Sequence, residues 1–372
     1  MKLLRYVFVL WALSIFTASQ GCAKIDLEPA IQKTIIEIEE KLQDPIGAAV
    51  AIIYNGQVVH MKIYGNEYKD GPKITKDTYF ALGSSTKPIA ALVISDLIKK
   101  SGLNFDISMA DYVTQLPKGI KLKHILSHTT GYTYKGNSDI ESGQERPEVL
   151  AKLFKSKPEN APGKKFLYNN VTYSLLENLT EKLTDKSWRD CFYEGLAARG
   201  LGHIEIIAPR DSDPVAHPHH FDKETGTLKD LGRLRKNYPR VVSSSAGGYA
   251  SIEDLAQFVK LQLASEFDSL QAPQIDAPDL FYWGIKFPRP QNKIKSSYAY
   301  GWRILELKDD PEHLTRLTFH GGFIKGVSAF IGMMKEHNIA IVVLSNDDRG
   351  IPFQSGITLW KNVLNAVDGK AQ

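Results

Sequence analysis

The residues that read as β-strands fall into two groups near opposite ends of the chain, and this constrains the fold more than any other feature. Gly47–Tyr54 is a β-rich apolar run, followed by Asn55-Gly56 and a second run, Gln57–Tyr64. Asn-Gly between two such runs predicts a hairpin, because a type I′ turn needs positive φ at both central residues. Far along the chain, Tyr300–Leu307, Leu314–Phe319, Val327–Met334 and Ile339–Ser345 also read as strands, separated by turn-prone Asp309-Asp310-Pro311 and Glu336-His337-Asn338. Ala30, Ile31, Ile35, Ile38 and Leu42 recur at helical spacing, predicting a helix over Glu28–Leu42, and a last helix is expected from about Pro352 to Val367. Between these ends, residues 84–285 show helical patterns and Pro/Gly loops, without internal repeats. The expected class is therefore α/β (α+β): an antiparallel sheet built from both chain ends, flanked by helices, with an inserted mostly α-helical lobe. The sheet lobe should comprise about 24–83 and 286–372 and the helical lobe about 84–285, with the site in the cleft between them.

The N-terminal segment carries its own signal. Lys2 and Arg5 precede an apolar run from Tyr6 to Phe16, then small and polar residues up to Cys22. A short basic region, an apolar stretch too short to span a bilayer and a small-residue exit predict a secretory signal peptide over residues 1–22. Cys22 after Gly21 suggests a lipoprotein signal and membrane anchoring, although Ser19 stands where an aliphatic residue is usual. Lipidation of Cys22 and plain cleavage near Gly21 or Ala23 both stay open. The second cysteine, Cys191, lies in the apolar stretch Trp188–Tyr193 and is expected in the core. The net charge of +4 over 372 residues is small, and the densest basic run, Arg233-Leu234-Arg235-Lys236 near Arg240, reads as a solvated face. Nucleic acid is therefore not an expected partner.

The segment Phe80-Ala81-Leu82-Gly83-Ser84-Ser85-Thr86-Lys87 leads into the apolar run Pro88–Ile94, which predicts a buried helix. Proline is tolerated only near a helix start, so Ser84 should sit at or just before the N-terminus. There the backbone N–H groups and the positive end of the helix dipole suit a developing oxyanion. Lys87, three residues on, falls on the same helix face within reach of the Ser84 hydroxyl. A serine hydroxyl becomes a useful nucleophile when a base takes its proton, and a lysine buried at a helix start can lose enough basicity to do so.

Other segments fall in an order that carries a resemblance. Residues 46–65, Phe80–Lys87, Ile125-Leu126-Ser127-His128-Thr129-Thr130-Gly131, Ala161–Asn170, Ala246–Leu255 and Phe319-His320-Gly321-Gly322-Phe323 together resemble the serine β-lactamase/penicillin-binding protein superfamily, class C β-lactamases and their DD-peptidase and esterase relatives in particular. The resemblance spans about residues 46–345 and implies a β-lactamase/transpeptidase-like fold. It makes Ser84 the acylated nucleophile, Lys87 the neighbouring base or charge partner, and Tyr168 the proton carrier of a Tyr-x-Asn motif. Asn170 would orient the substrate amide or ester, and His320, Gly322 and Phe323 would line the substrate strand. The backbone N–H groups of Ser84 and Phe323 would form the oxyanion hole. An unperturbed tyrosine is a poor base at neutral pH, so Tyr168 needs a nearby positive charge or a proton relay. Many β-lactamases carry lysine at the place of His320; histidine is mostly neutral at pH 7, which tilts the expectation toward DD-peptidases, D-amidases and esterases.

Two rival constellations carry less. His320-Gly321-Gly322 matches a lipase oxyanion loop in residue type, but the chain has no Gly-x-Ser-x-Gly elbow. His217-Pro218-His219-His220, near Asp211 and Asp213, matches no familiar metal spacing, and no metal site is expected. The expected chemistry is a two-step acyl transfer through Ser84, needing no metal or organic cofactor. It would act outside the cytoplasm on a small molecule or a peptidoglycan-derived peptide, with β-lactams also met there. A D-alanyl-D-alanine carboxypeptidase-like enzyme leads, followed by a carboxylesterase or D-amidase and a β-lactamase. A non-catalytic binder of cell-wall fragments is the alternative of another class.

Overall fold

The computed structural model describes residues 25–369 apart from 43–45, 234–236, 283–284, 311 and 313–314. The expected signal segment with Cys22 lies outside the described residues, as do Leu234, Arg235 and Lys236. The frame consists of α1 (Glu28–Lys41), β1 (Gly47–Tyr54), β2 (Gln57–Gly65), α2 (Thr86–Lys100), α3 (Ile252–Gln262), β3 (Ile275–Asp276), β4 (Ile294–Tyr298), β5 (Arg303–Leu307), β6 (Leu317–Ile324), β7 (Val327–Met334), β8 (Ile339–Ser345) and α4 (Ile351–Asp368). Shorter helices fill the middle of the chain. The strands form one antiparallel sheet in the order β2-β1-β8-β7-β6-β5-β4-β3, so the first hairpin docks onto the last strand, with Val50 opposite Val343. The two chain ends build one sheet.

The turn between β1 and β2 has Asn55 and Gly56 both at positive φ, as the Asn-Gly pair demands. β1 and β8 are apolar on both faces because both faces are covered. Ala48, Val50 and Ile52 enter the core shared with α1 and α4, whereas Ala49, Ala51 and Ile53 enter the core shared with the helical lobe. This is the period-two alternation of a strand buried on either side. Cys191 is buried, with its sulfur 3.3 Å from the Thr184 hydroxyl.

Several boundaries differ from the sequence reading. β5 begins at Arg303 rather than Tyr300, because Tyr300-Gly301 makes the turn from β4, closed by the Ala299 N–H donating to the Trp302 carbonyl at 2.8 Å. β6 does not stop at Phe319 but runs through the glycines to Ile324. β3 and the α3 helix, both within the span expected for the helical lobe, join the sheet, where α3 packs against β1, β7 and β8. β4 carries Lys295, Ser296 and Ser297 and lacks the apolar run that marks the other strands.

Candidate active site

The short strand Phe80–Ala81 pairs with Tyr249–Ala250 and delivers the chain to a 3₁₀ turn, Gly83–Ser85, that runs directly into α2. Thr86 ties this junction down: its hydroxyl donates to the Gly83 carbonyl at 2.6 Å and accepts from the Gly248 N–H at 2.9 Å. On the other side lies β6. The Ser85 hydroxyl donates to the His320 carbonyl at 3.1 Å. A Cβ built on Gly322 would lie 1.8 Å from the Leu82 carbonyl oxygen, and one on Gly83 would lie 3.2 Å from the Phe323 nitrogen. The glycines of β6 are what allow it to lie against the Gly83–Ser85 turn. Gly322→Ala must therefore move backbone against backbone. A shift of about 1 Å at the turn is expected to slow acylation of Ser84 about 10²-fold, measured as the rate of intact-mass gain with a fluorophosphonate.

Ser84 is partly exposed, whereas Lys87 is fully buried. The Lys87 amine reaches the Ser84 Oγ at 3.3 Å, the Asn170 Oδ1 at 2.8 Å and the Ser245 carbonyl at 2.9 Å. Burial, helped by the nearby Arg303 charge, holds Lys87 well below its ordinary value of 10.5. The Ser245 carbonyl is itself held in place. The Ser244 N–H and hydroxyl both donate to the buried Glu177 carboxylate, at 2.9 and 3.0 Å, and Arg146 pairs with Glu177 at 3.4 Å. Asn170 opens a short helix, Asn170–Tyr173, capped by Asn169, whose side chain accepts from the Thr172 N–H. With its carbonyl engaged by Lys87, Asn170 has its amide N–H₂ to offer a substrate.

Tyr168 lies over this pair. Lys87 Nζ is 4.7 Å from its ring centroid, and Ser84 is near enough to its hydroxyl to influence its titration. Burial pushes the phenol up to about 12, only partly offset by Arg303 and by the neighbouring Ser84 side chain. His128 lies against Tyr168 with ring centroids 4.3 Å apart and planes tilted by 40°, and its Nδ1 accepts from the Asn169 N–H at 3.2 Å. His320 is buried: Nδ1 meets the Gly321 carbonyl at 2.9 Å and Nε2 meets the Tyr298 hydroxyl at 3.1 Å. Burial, with the charges of Lys87 and Arg303, keeps it well below the ordinary histidine range. A neutral ring donating from Nδ1 and accepting at Nε2 satisfies both contacts. His320 thus braces Tyr298 and is not a cation facing a substrate. Phe323, 62% exposed, is the open aromatic of the β6 wall.

Sequence reasoning missed Arg303 and Asp279. Arg303, on β5 opposite Phe319, is buried and forms two hydrogen bonds with Asp279, at 2.8 and 2.9 Å. Its guanidinium carbon lies 5.3 Å from the Tyr168 ring centroid, 5.5 Å from that of Tyr298 and 5.7 Å from that of Phe166. The histidines at 217–220 go to separate partners: His217 to Asp230 at 3.1 Å, His220 to Asp348 at 2.6 Å, and His219 to the His217 carbonyl at 2.7 Å. No group of three or more metal-ligating side chains converges among the described residues. Of the basic run, Arg233 donates to the Arg210 carbonyl and Arg240 pairs with Glu145.

The model of the family described as Beta-lactamase matches residues 35–362. Among curated relatives, "Protein flp" of Staphylococcus aureus (strain MW2) is 25% identical over 350 residues, covering 84% of this chain and 62% of that protein. "Teichoic acid D-alanine hydrolase" of Staphylococcus aureus (strain NCTC 8325 / PS 47) is 28% identical over 272 residues, covering 72% of this chain and 64% of that protein. The chain thus spans somewhat under two thirds of the length of these relatives. Among solved structures, an octameric penicillin-binding protein homologue from Pyrococcus abyssi superposes with a TM-score of 0.72 at 24% identity, over 93% of this chain and 78% of that one. A penicillin-binding protein from Bacillus halodurans gives 0.70 at 18% identity, over 90% of this chain and 98% of that one. These two likenesses speak for the fold.

Proposed function

This chain belongs to the Beta-lactamase family, a family of serine hydrolases, and from that premise we propose that it hydrolyses a D-alanyl amide or ester of the cell wall through an acyl-enzyme on Ser84. The observation that carries the reading is the dry amine of Lys87 at 3.3 Å from a partly exposed serine hydroxyl at the start of α2. Lys87 takes the Oγ proton as Oγ bonds to the substrate carbonyl carbon, and the carbonyl π pair moves onto oxygen. The N–H groups of Ser84 and Phe323 receive that oxyanion, a role supported by the close approach of Gly83 to the Phe323 nitrogen. Collapse breaks the bond to the leaving nitrogen or oxygen, which departs with the proton handed on through Tyr168. Water then attacks the acyl ester, gives its proton to the same base, and Ser84 leaves protonated. Asn170 holds Lys87 and offers its amide to the substrate, with Gly322 and Phe323 as the facing wall.

Within that class the leading reading is a D-alanyl-D-alanine carboxypeptidase-like, penicillin-binding enzyme. A second reading, an esterase or D-amidase, is favoured by His320: a neutral ring with both nitrogens engaged offers a substrate carboxylate no charge. One relative is a teichoic acid D-alanine hydrolase, which supports a D-alanyl substrate. Export is supported by the basic, apolar and small-residue pattern ending at Cys22. The test is a substrate panel on the purified mature protein: an acyl-D-alanyl-D-alanine peptide, a D-alanyl ester, a p-nitrophenyl ester and a chromogenic cephalosporin. Release of D-alanine from the peptide fits the first reading, and turnover of esters alone fits the second. Fast cephalosporin turnover makes the protein a β-lactamase. No turnover and no covalent adduct would return it to the cell-wall-fragment binders.

A further inference from the structure

We propose that Arg303, pinned by Asp279, is a positioning residue for this reaction: it supplies the fixed positive charge beneath Tyr168 that sets the protonation of the Lys87–Tyr168 pair. The inference rests on the hydrolase reading above. Arginine stays charged in proteins, whereas the other basic groups around the site can shed their protons. Arg303 is 2% exposed, and its guanidinium is fixed by two hydrogen bonds to one carboxylate, so the charge neither moves nor meets bulk water. It lies 5.3 Å from the Tyr168 ring centroid, and Tyr168 in turn lies over the Lys87 amine. At such a distance in a partly dry setting, one charge changes a neighbour's proton affinity by about one to two pH units.

The surroundings show why this charge matters. Lys87 from α2 faces Tyr168 and the Tyr173 hydroxyl, which donates to the Lys87 carbonyl at 2.9 Å. His128, after the helix Leu122–Leu126, lies tilted against Tyr168, and the rings of Tyr298 from β4 and His320 from β6 are each 6.3 Å from it between centroids. Asp279, in the 3₁₀ turn Pro278–Tyr282, is the negative group of the set. Burial keeps Lys87, His128 and His320 well below their ordinary values, and Arg303 is the group there whose charge does not depend on pH. Its charge lowers both Lys87 and Tyr168, and Asp279 opposes it at Tyr168. Both influences of Arg303 act in one direction: the reactive, deprotonated base becomes available at lower pH.

The experiment follows the rate of Ser84 labelling by a fluorophosphonate against pH for wild type, Arg303→Met, Arg303→Lys and Asp279→Asn, with melting curves for each. For Arg303→Met the ascending limb should move up by about one unit or more, slowing labelling about tenfold or more on the acid side. Arg303→Lys, which keeps the charge, should fall between it and wild type. Asp279→Asn, which unmasks the arginine, should move the limb the opposite way, to lower pH. A merely structural role would depress all three rates without moving the limb in opposite senses. A folded Arg303→Met with the wild-type profile overturns the inference. If that variant loses its cooperative melt, Asp279→Asn decides alone: a lowered limb supports the inference, and an unchanged or raised one overturns it. A wild type that takes no label at Ser84 overturns the hydrolase reading and this inference with it, whereas a labelled wild type with unmoved limbs overturns only the inference.

Discussion

Ser84→Ala is expected to remove acylation altogether: wild type gains the mass of one fluorophosphonate or one penicillin, and the variant gains neither. Turnover of any substrate found for the wild type should fall by at least ~10⁴-fold, the scale seen when a nucleophile is deleted from a serine hydrolase. The interpretation needs the fold to survive, and it should. Ser84 is partly exposed, and removing its hydroxyl costs the 3.3 Å contact to Lys87. Lys87 keeps the Asn170 oxygen at 2.8 Å and the Ser245 carbonyl at 2.9 Å, so no buried amine is stranded. A change of this kind normally alters stability by about 0.5 kcal/mol or less. An unchanged melt with an absent adduct assigns the nucleophile. A persisting stoichiometric adduct in Ser84→Ala would move the chemistry to another residue. Which probe reacts with wild type is informative too, since a long-lived penicillin adduct fits the penicillin-binding reading and a fluorophosphonate adduct alone fits the esterase.

What could be seen in the sequence here is what depends on local spacing. Ser84 and Lys87 are three residues apart at a helix start marked by Pro88, and that geometry follows from helical periodicity alone. The Asn55-Gly56 turn was legible for the same reason, and the strands at both chain ends were each marked by a short apolar run. Tyr168 and Asn170 could be assigned only through the resemblance, because nothing local joins them to Lys87, 83 residues from Asn170. Arg303 carries no local signal, being one arginine within a run that reads only as a strand, Tyr300–Leu307. Its partner Asp279 lies 24 residues earlier, in a turn with no pattern of its own. The Arg146–Glu177–Ser244 support was equally hidden, being a contact among three separate helical segments. Gly321-Gly322 misled in the opposite sense. Glycine is depleted in strands for want of a side chain, yet here that lack lets β6 pass the Leu82 carbonyl.

Lys87→Met should lower the labelling rate at pH 7 by at least ~10³-fold, and the pH profile should say which group is the base. The base acts in its deprotonated form, so the rate falls as pH drops through that group's value in the folded protein. For Lys87 this value lies well below 10.5, because burial and the Arg303 charge both disfavour the ammonium. For Tyr168 it lies at about 12, so at pH 7 only about one phenol in 10⁵ is ionised. The two assignments therefore predict different ascending limbs. If Lys87 is the base, the wild-type limb sits far below pH 10.5 and the residual rate of Lys87→Met rises only toward Tyr168's range. If Tyr168 is the base, the wild-type limb already lies in the far alkaline range and Lys87→Met leaves it nearly in place. Stability separates chemistry from damage. Methionine matches the straight chain of lysine but leaves the Asn170 Oδ1 and the Ser245 carbonyl unpaired, at about 1–3 kcal/mol each. Against that stands relief from burying an amine, which costs several kcal/mol in a dry site. The two nearly offset, so the melt should move little while the rate collapses, and Tyr168 is left as the donor that carries the proton to the leaving group.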